Sequence, residues 1–338
     1  MKNAIRLFIS LVLALTFIFT VAINEAKAEK KVFKFSVYYT EDHNRTKLWR
    51  EYCDRVAEVT KGEIEFKIFS GQSLVKAKQE YEAMISGAID MCGNAYITGY
   101  QPWFTYSQLL GYYMTYAEQM ELLRKIRPII ERELDKSGIK LLWVHPAALL
   151  SFYSNKGFIK TMDDFKGLKV RVGGTYLAKA FKTFGAGVVS LSTAEQYTAL
   201  QRGTVDATYV GTDSYLGFNL YEVAPYISNF EHPVFLNPIM MNKKAWNKIS
   251  EQHKKKILEV GEAFMDMMPK RVMAEEDRIN KEVLTRGAML YNPQPVLRKT
   301  MADLIKPLWM ETFKAAGTPG EEIYKIIKNM FPRFRENG

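Results

Sequence analysis

From Lys31 to Tyr39 the chain reads Lys-Val-Phe-Lys-Phe-Ser-Val-Tyr-Tyr, alternating polar with apolar before turning wholly apolar, the pattern of a strand entering a core. Leu48, Trp49, Cys53, Val56 and Val59 then recur at helical spacing, which predicts a helix over residues 44–60. A Lys-Gly turn at Lys61, a strand over 64–69, a helix over 76–86 and a short strand over 89–92 repeat the alternation. A helix over 117–136 precedes an apolar strand at 139–144 and an extended run at 149–154. Past a one-turn helix closed by Gly167 the alternation restarts: a strand ending in Val170-Arg171-Val172, a helix over 176–184, a strand over 188–191, a helix over 193–202 and a strand over 207–210. Strands alternating with helices predict an α/β protein whose mostly parallel sheet is covered on both faces.

The restart predicts a second α/β lobe, with the extended stretches at 147–153 and 235–241 as the crossovers that join the two. A helical region over 243–286 has few breakers and, at 1.5 Å per residue, reaches about 65 Å, enough to bridge both lobes. The expected division places residues 29–147 and about 238–278 in lobe I, and residues 148–237 and about 279–338 in lobe II. Ligands of such folds sit at the carboxyl ends of strands, here in the cleft between lobes.

The first segment has a basic start through Arg6, an apolar run from Leu7 to Ile23, and small residues at Ala26 and Ala28. It reads as a signal peptide over residues 1–28, cleaved after Ala28, which implies export. A retained anchor is the alternative, because the run approaches the roughly 20 residues that span a bilayer. The formal charge is +10, and Lys2, Arg6 and Lys27 against Glu25 leave +8 beyond Ala28. Its basic residues lie scattered among acids along helices, so a solvated surface that favours anionic solutes is expected, not a nucleic-acid interface. The only cysteines are Cys53 and Cys92. An oxidising compartment permits a bridge between them, and two buried free thiols fit the pattern equally well.

No catalytic constellation emerges from the sequence. The four histidines, His43, His145, His232 and His253, show no zinc spacing, and Gly-x-Ser-x-Gly and the Walker loop are missing. Gly185-Ala-Gly187 follows a helix, the wrong context for a dinucleotide, and Asp163-Asp164 head a short helix where acids suit the dipole. No catalytic residue, metal or cofactor is expected.

The run Asp163-Asp-Phe-Lys-Gly-Leu-Lys-Val-Arg-Val172, followed by Gly185 through Asp206 with Thr193-Ala-Glu-Gln-Tyr-Thr-Ala-Leu-Gln-Arg-Gly203, resembles the central signature of DctP-type solute-binding proteins of TRAP transporters. Tyr39-Thr-Glu-Asp-His43, Phe69-Ser-Gly-Gln72 and Gly87-Ala-Ile-Asp-Met91 support it. The resemblance implies a two-lobed, periplasmic-binding-protein-like fold with a hinge, a small organic acid as ligand, a periplasmic location, and delivery to small and large integral membrane subunits. It also implies that Arg171 pairs with the ligand carboxylate. Strand alternation agrees, since Leu168, Val170 and Val172 share one face and Lys169 and Arg171 the other.

Two departures affect the supporting contacts. Gly173-Gly174 stands where relatives usually carry a proline, and Val210 where many carry an asparagine that also holds the carboxylate, so Tyr209 or Thr212 is a candidate replacement, or an amide from elsewhere. The further arginine of sialic-acid-binding members has no counterpart at Ala147–Leu150, so sialic acid is not expected. Aromatics at strand ends suit a compact monocarboxylate, aromatic acids included. The candidate ligand-binding residues are Arg171 with Tyr39, Asn94, Tyr96, Trp143, His145, Gly174, Tyr209, Asp213, Tyr215 and Asn237. His43 is either a helix cap or a contact. The competing readings are a periplasmic ligand sensor reporting to a membrane receptor and an exported enzyme.

Overall fold

The computed structural model describes residues 29–93, 115–146, 148–232 and 236–331. The first lobe begins with β1 (Lys31–Ser36), α1 (Asn44–Val59), β2 (Ile64–Phe69), α2 (Glu80–Ser86), β3 (Met91–Gly93), α3 (Tyr116–Lys136) and β4 (Ile139–Pro146). The second is built from β5 (Leu150–Ser154), β6 (Lys169–Val172), α4 (Thr175–Thr183), β7 (Gly187–Ser190), α5 (Gln196–Gln201), β8 (Ala207–Gly211), α6 (Thr212–Gly217) and β9 (Tyr226–His232). The chain then passes through β10 (Leu236–Asn242), α7 (Lys243–Trp246), α8 (Glu251–Thr285), β11 (Met289–Tyr291), α9 (Pro295–Ala315) and α10 (Gly317–Met330).

Two sheets result, ordered β2-β1-β3-β10-β4 and β11-β9-β5-β8-β6-β7. In the first, β1 pairs parallel with β2 and β3, and β10 runs antiparallel between β3 and β4. In the second, β6 pairs parallel with β7 and β8, while β5 lies antiparallel between β8 and β9. The chain crosses from one sheet to the other between β4 and β5 and returns between β9 and β10. Because β10 is the return strand, it enters the first sheet against the direction of its neighbours, which is why that sheet is not wholly parallel.

Helix α1 begins where its apolar periodicity predicts, with Leu48, Trp49, Cys53 and Val56 buried. His43 is its cap: Nδ1 accepts from the Arg45 amide at 3.1 Å. The long helical region is interrupted, however. It breaks after Trp246, and Ser250 starts α8 afresh by accepting from the His253 amide. The 35 residues of α8 span about 52 Å. It packs on β4 and α1 of the first lobe and α6 of the second, so it bridges both. At Gly261 an added Cβ would lie 3.0 Å from the Leu142 carbonyl oxygen, so glycine lets helix and strand approach this closely without either giving way. The C-terminal helices divide their packing, α9 against α4 and α10 against α3. Cys53 and Cys92 are free and buried.

Candidate ligand-binding site

On β6, alternation sends Val170 and Val172 into the core with Leu177 and Phe181 of α4, and turns Arg171 to the opposite face. The side chain is only 2% exposed. Nε and Nη2 donate to the Leu191 carbonyl at 3.0 and 2.8 Å, and Nη2 reaches Thr193 Oγ1 at 3.3 Å. Leu191 lies just beyond β7, so these bonds hold the guanidinium at the carboxyl edge of the parallel strands. That is the edge at which open α/β sheets bind ligands.

A second polar centre lies where the lobes touch, around a residue that sequence reasoning missed. Arg45, in the first turn of α1, donates through Nε and Nη2 to both carboxylate oxygens of Asp213 on α6, the Nη2 to Oδ1 bond measuring 3.0 Å. Its Nη1 donates to the Tyr39 hydroxyl and, at 3.2 Å, to Asn237 Oδ1. Both side chains are buried, 7% and 8% exposed. Burial is the largest influence and pushes the Asp213 carboxyl up, but Arg45, His43 and the Ser214 amide together outweigh it, and the net is below the usual carboxylate value. Burial, aided by Arg45 and Lys47 against the pull of Asp213, takes the His43 imidazole down to about 3, so it is neutral near pH 7.

The lobes are in direct contact here, because a Cβ added to Gly217 of α6 would fall 2.4 Å from His43 Cδ2. Glu276 of α8 reinforces the junction by accepting from the Leu149 amide and the Thr212 hydroxyl, both at 2.5 Å. Beside the Arg45–Asp213 pair lies a cavity of about 380 Å³, its walls including Arg45, His145, Asp213, Arg271, Glu276 and Arg278 but not Arg171. The lobes also meet near the Arg171 end. Lys78, in the single turn Ala77–Gln79 of the first lobe, sends Nζ to the Ser190 carbonyl at the end of β7, 3.4 Å away.

Of the residues singled out from sequence, Tyr39, Asp213 and Asn237 converge on Arg45. His145 is the register partner of Asn237, and its Nε2 accepts from Trp49 Nε1 at 3.2 Å. Trp143 is core, packed against Tyr52 and Phe264. Gly174 caps α4 with extended backbone, its carbonyl accepting from Ala178. Tyr209 lies on the face opposite Arg171, among Phe152 and Phe181, because it is one residue out of phase with Thr208, the register partner of Arg171. Tyr215 stacks on Tyr153 at 3.9 Å and donates to the Ala224 carbonyl. Asn94 and Tyr96 lie outside the described residues.

The model of the DctP family, described as bacterial extracellular solute-binding protein, family 7, matches residues 35–316. The chain belongs to this family. It is similar to a solute-binding protein of Albidiferax ferrireducens, 29% identical over 226 residues that make up 64% of this chain and 66% of that protein. It is 22% identical over 282 residues to the 2,3-diketo-L-gulonate-binding periplasmic protein YiaO of Escherichia coli, covering 82% of this chain and 85% of that one. Among solved structures, a TRAP periplasmic solute binding protein from Desulfovibrio salexigens with bound orotic acid is 26% identical, with a TM-score of 0.82 over 90% of this chain and all of that one. The solute-binding family match takes in both crossovers, Arg45, Arg171 and Asp213. Among the described residues no helix is long and apolar enough to cross a membrane.

Proposed function

We propose that this DctP-family protein is the extracytoplasmic receptor of a TRAP transporter, capturing a small organic acid anion between its lobes with the carboxylate on Arg171. The observation that carries the reading is a buried guanidinium at the carboxyl edge of three parallel strands, two of its holding groups being the neutral Leu191 carbonyl and Thr193 hydroxyl. A planar guanidinium there can present two parallel donors to a carboxylate. Relatives of the same fold bind pyroglutamic acid, galacturonate, malonate and orotic acid. For this chain a compact monocarboxylate is the preferred class, aromatic acids included. The first 28 residues direct export to the periplasm in this reading, the two lobes divide near the β4–β5 and β9–β10 crossovers, and small and large membrane subunits receive the solute. The protein acts by binding, not by catalysis.

The test is a thermal-shift screen of pyroglutamate, orotate, glucuronate, galacturonate, malonate and benzoate, followed by calorimetry on Arg171→Ala. A bound anion raises the melting temperature of the native state. Loss of charge-assisted bonds worth about 1.5–3 kcal/mol weakens binding roughly 10- to 150-fold. An Arg171→Ala protein that binds as tightly as wild type would overturn the clamp, and a wild type indifferent to every one of these acids would overturn the receptor reading.

A further inference from the structure

Gln196, the first residue of α5, is fully buried. Its Oε1 accepts from the Thr208 hydroxyl at 2.9 Å, which orients the amide. The other end, Nε2, is buried and meets no hydrogen-bond partner among the described residues. Buried amide donors in folded proteins nearly always find an acceptor, so this one calls for an explanation.

Its position supplies one. Thr208 on β8 is the register partner of Arg171 on β6. Thr193, three residues before Gln196, accepts from Arg171 Nη2. Gln196 is therefore tied to the elements that hold Arg171 from two sides, through Thr208 below and the Thr193 turn above. Ala207 and Tyr209 pack in the core shared with Val170 and Val172, so Thr208 and Val210 share the other face with Arg171, the face that α5 covers. The result is a neutral N–H donor and a guanidinium on one face of the sheet, linked through Thr208 and the Thr193 turn. A carboxylate, with two oxygens and about four lone-pair sites, accepts from both at once.

We propose that Gln196 is a second carboxylate-binding residue, its Nε2 donating to the anion that Arg171 holds. This rests on the receptor reading and sharpens it. Because Gln196 adds a donor without adding charge, the pair presents a single positive charge and favours one carboxylate over a compact dianion such as malonate.

The experiment titrates wild type, Gln196→Glu, the double variant Gln196→Leu/Thr208→Val and Arg171→Ala with pyroglutamate, orotate, glucuronate, galacturonate and malonate. The double variant removes both ends of the buried hydrogen bond together, so its ligand-free melting temperature is expected to stay close to that of wild type. Its affinity for the monocarboxylate that wild type binds is expected to fall between about tenfold and a hundredfold. Gln196→Glu, which sets a carboxylate against the ligand, is expected to fall further. Should the double variant fail to fold, the side-chain amide NMR signals of Gln196 in wild type provide the second readout, shifting on addition of that monocarboxylate. Wild-type affinity in both Gln196 variants, or an amide signal unmoved by ligand, would overturn the proposal while leaving Arg171 in place. If wild type binds neither these five acids nor benzoate, the receptor reading itself fails, and this inference with it.

Discussion

Asp213→Asn is the sharpest probe of how the lobes are joined. The substitution keeps the shape of the side chain but removes the charge that, among the described residues, is paired with the buried Arg45, which keeps its bonds to Tyr39 and Asn237. Breaking one half of a buried ion pair costs about 3–5 kcal/mol, because the remaining charge stays desolvated. The two surviving hydrogen bonds and the new amide oxygen put the expected loss near the lower end, about 3 kcal/mol. With an unfolding entropy of about 2.1 cal/mol/K per residue, roughly 300 folded residues give about 0.6 kcal/mol/K, so the melting temperature should drop about 5 °C. Calorimetry of the ligand-free protein measures this. The double variant Arg45→Met/Asp213→Leu leaves no orphaned charge and is expected to recover most of the loss, since apolar replacements of buried pairs are often neutral or stabilising. Two outcomes would refute the reasoning: Asp213→Asn melting within 1 °C of wild type, or the double variant melting as low as the single one.

Two further predictions concern the same junction. The His43 imidazole titrates near 3 when folded against 6.5 when unfolded, so the unfolded chain binds more protons between those values. Stability should therefore fall as pH drops from about 6.5 toward 3, by about 1.4 kcal/mol per unit for this one group. His43→Asn, which preserves a capping oxygen, should flatten that slope in urea titrations at stepped pH, and identical slopes would exclude His43 as the source. Glu276→Ala strips the acceptor from the Leu149 amide and the Thr212 hydroxyl, with an expected cost of about 2–4 kcal/mol in denaturant melts if both are orphaned. A change below 0.5 kcal/mol would show that other groups replace the carboxylate.

What was legible in the sequence follows the range of the forces involved. The faces of α1 and β6 are local periodicities, so Trp49 and Cys53 inward and Arg171 opposite Val170 could be read from neighbours alone. The same alternation, carried one strand further, would have separated Tyr209 from Arg171; choosing aromatics by their place at strand ends ignored that parity. The break before α8 was also written locally, in Ser250 as a capping residue, but a run of helix-favouring residues on both sides masked it. Arg45 was not legible. An arginine in the first turn of a helix reads as solvated, and what buries it is Asp213, 168 positions away. Gln196 was hidden for the same reason, inside a motif whose pattern marks a helix but not what its first side chain faces.

The two places where the lobes meet are unequal, and the inequality bears on how a ligand enters. At the hinge the contact is a buried, doubly hydrogen-bonded ion pair, backed by Glu276 on the β4–β5 crossover and the start of α6 and by Gly217 against His43. At the mouth the described residues bring the exposed Lys78 to the Ser190 carbonyl at 3.4 Å and within electrostatic reach of Glu195. Exposed contacts of that kind contribute about 0–1 kcal/mol, whereas loss of the buried pair costs several. A rotation that parts Lys78 from Ser190 while keeping Arg45 on Asp213 is therefore the cheap motion, and it uncovers the Arg171 end of the cleft without desolvated charges being separated. A carboxylate that joined Arg171 would then restore closure by bridging, so the population of the closed form would depend on ligand at the mouth and on Arg45–Asp213 at the hinge.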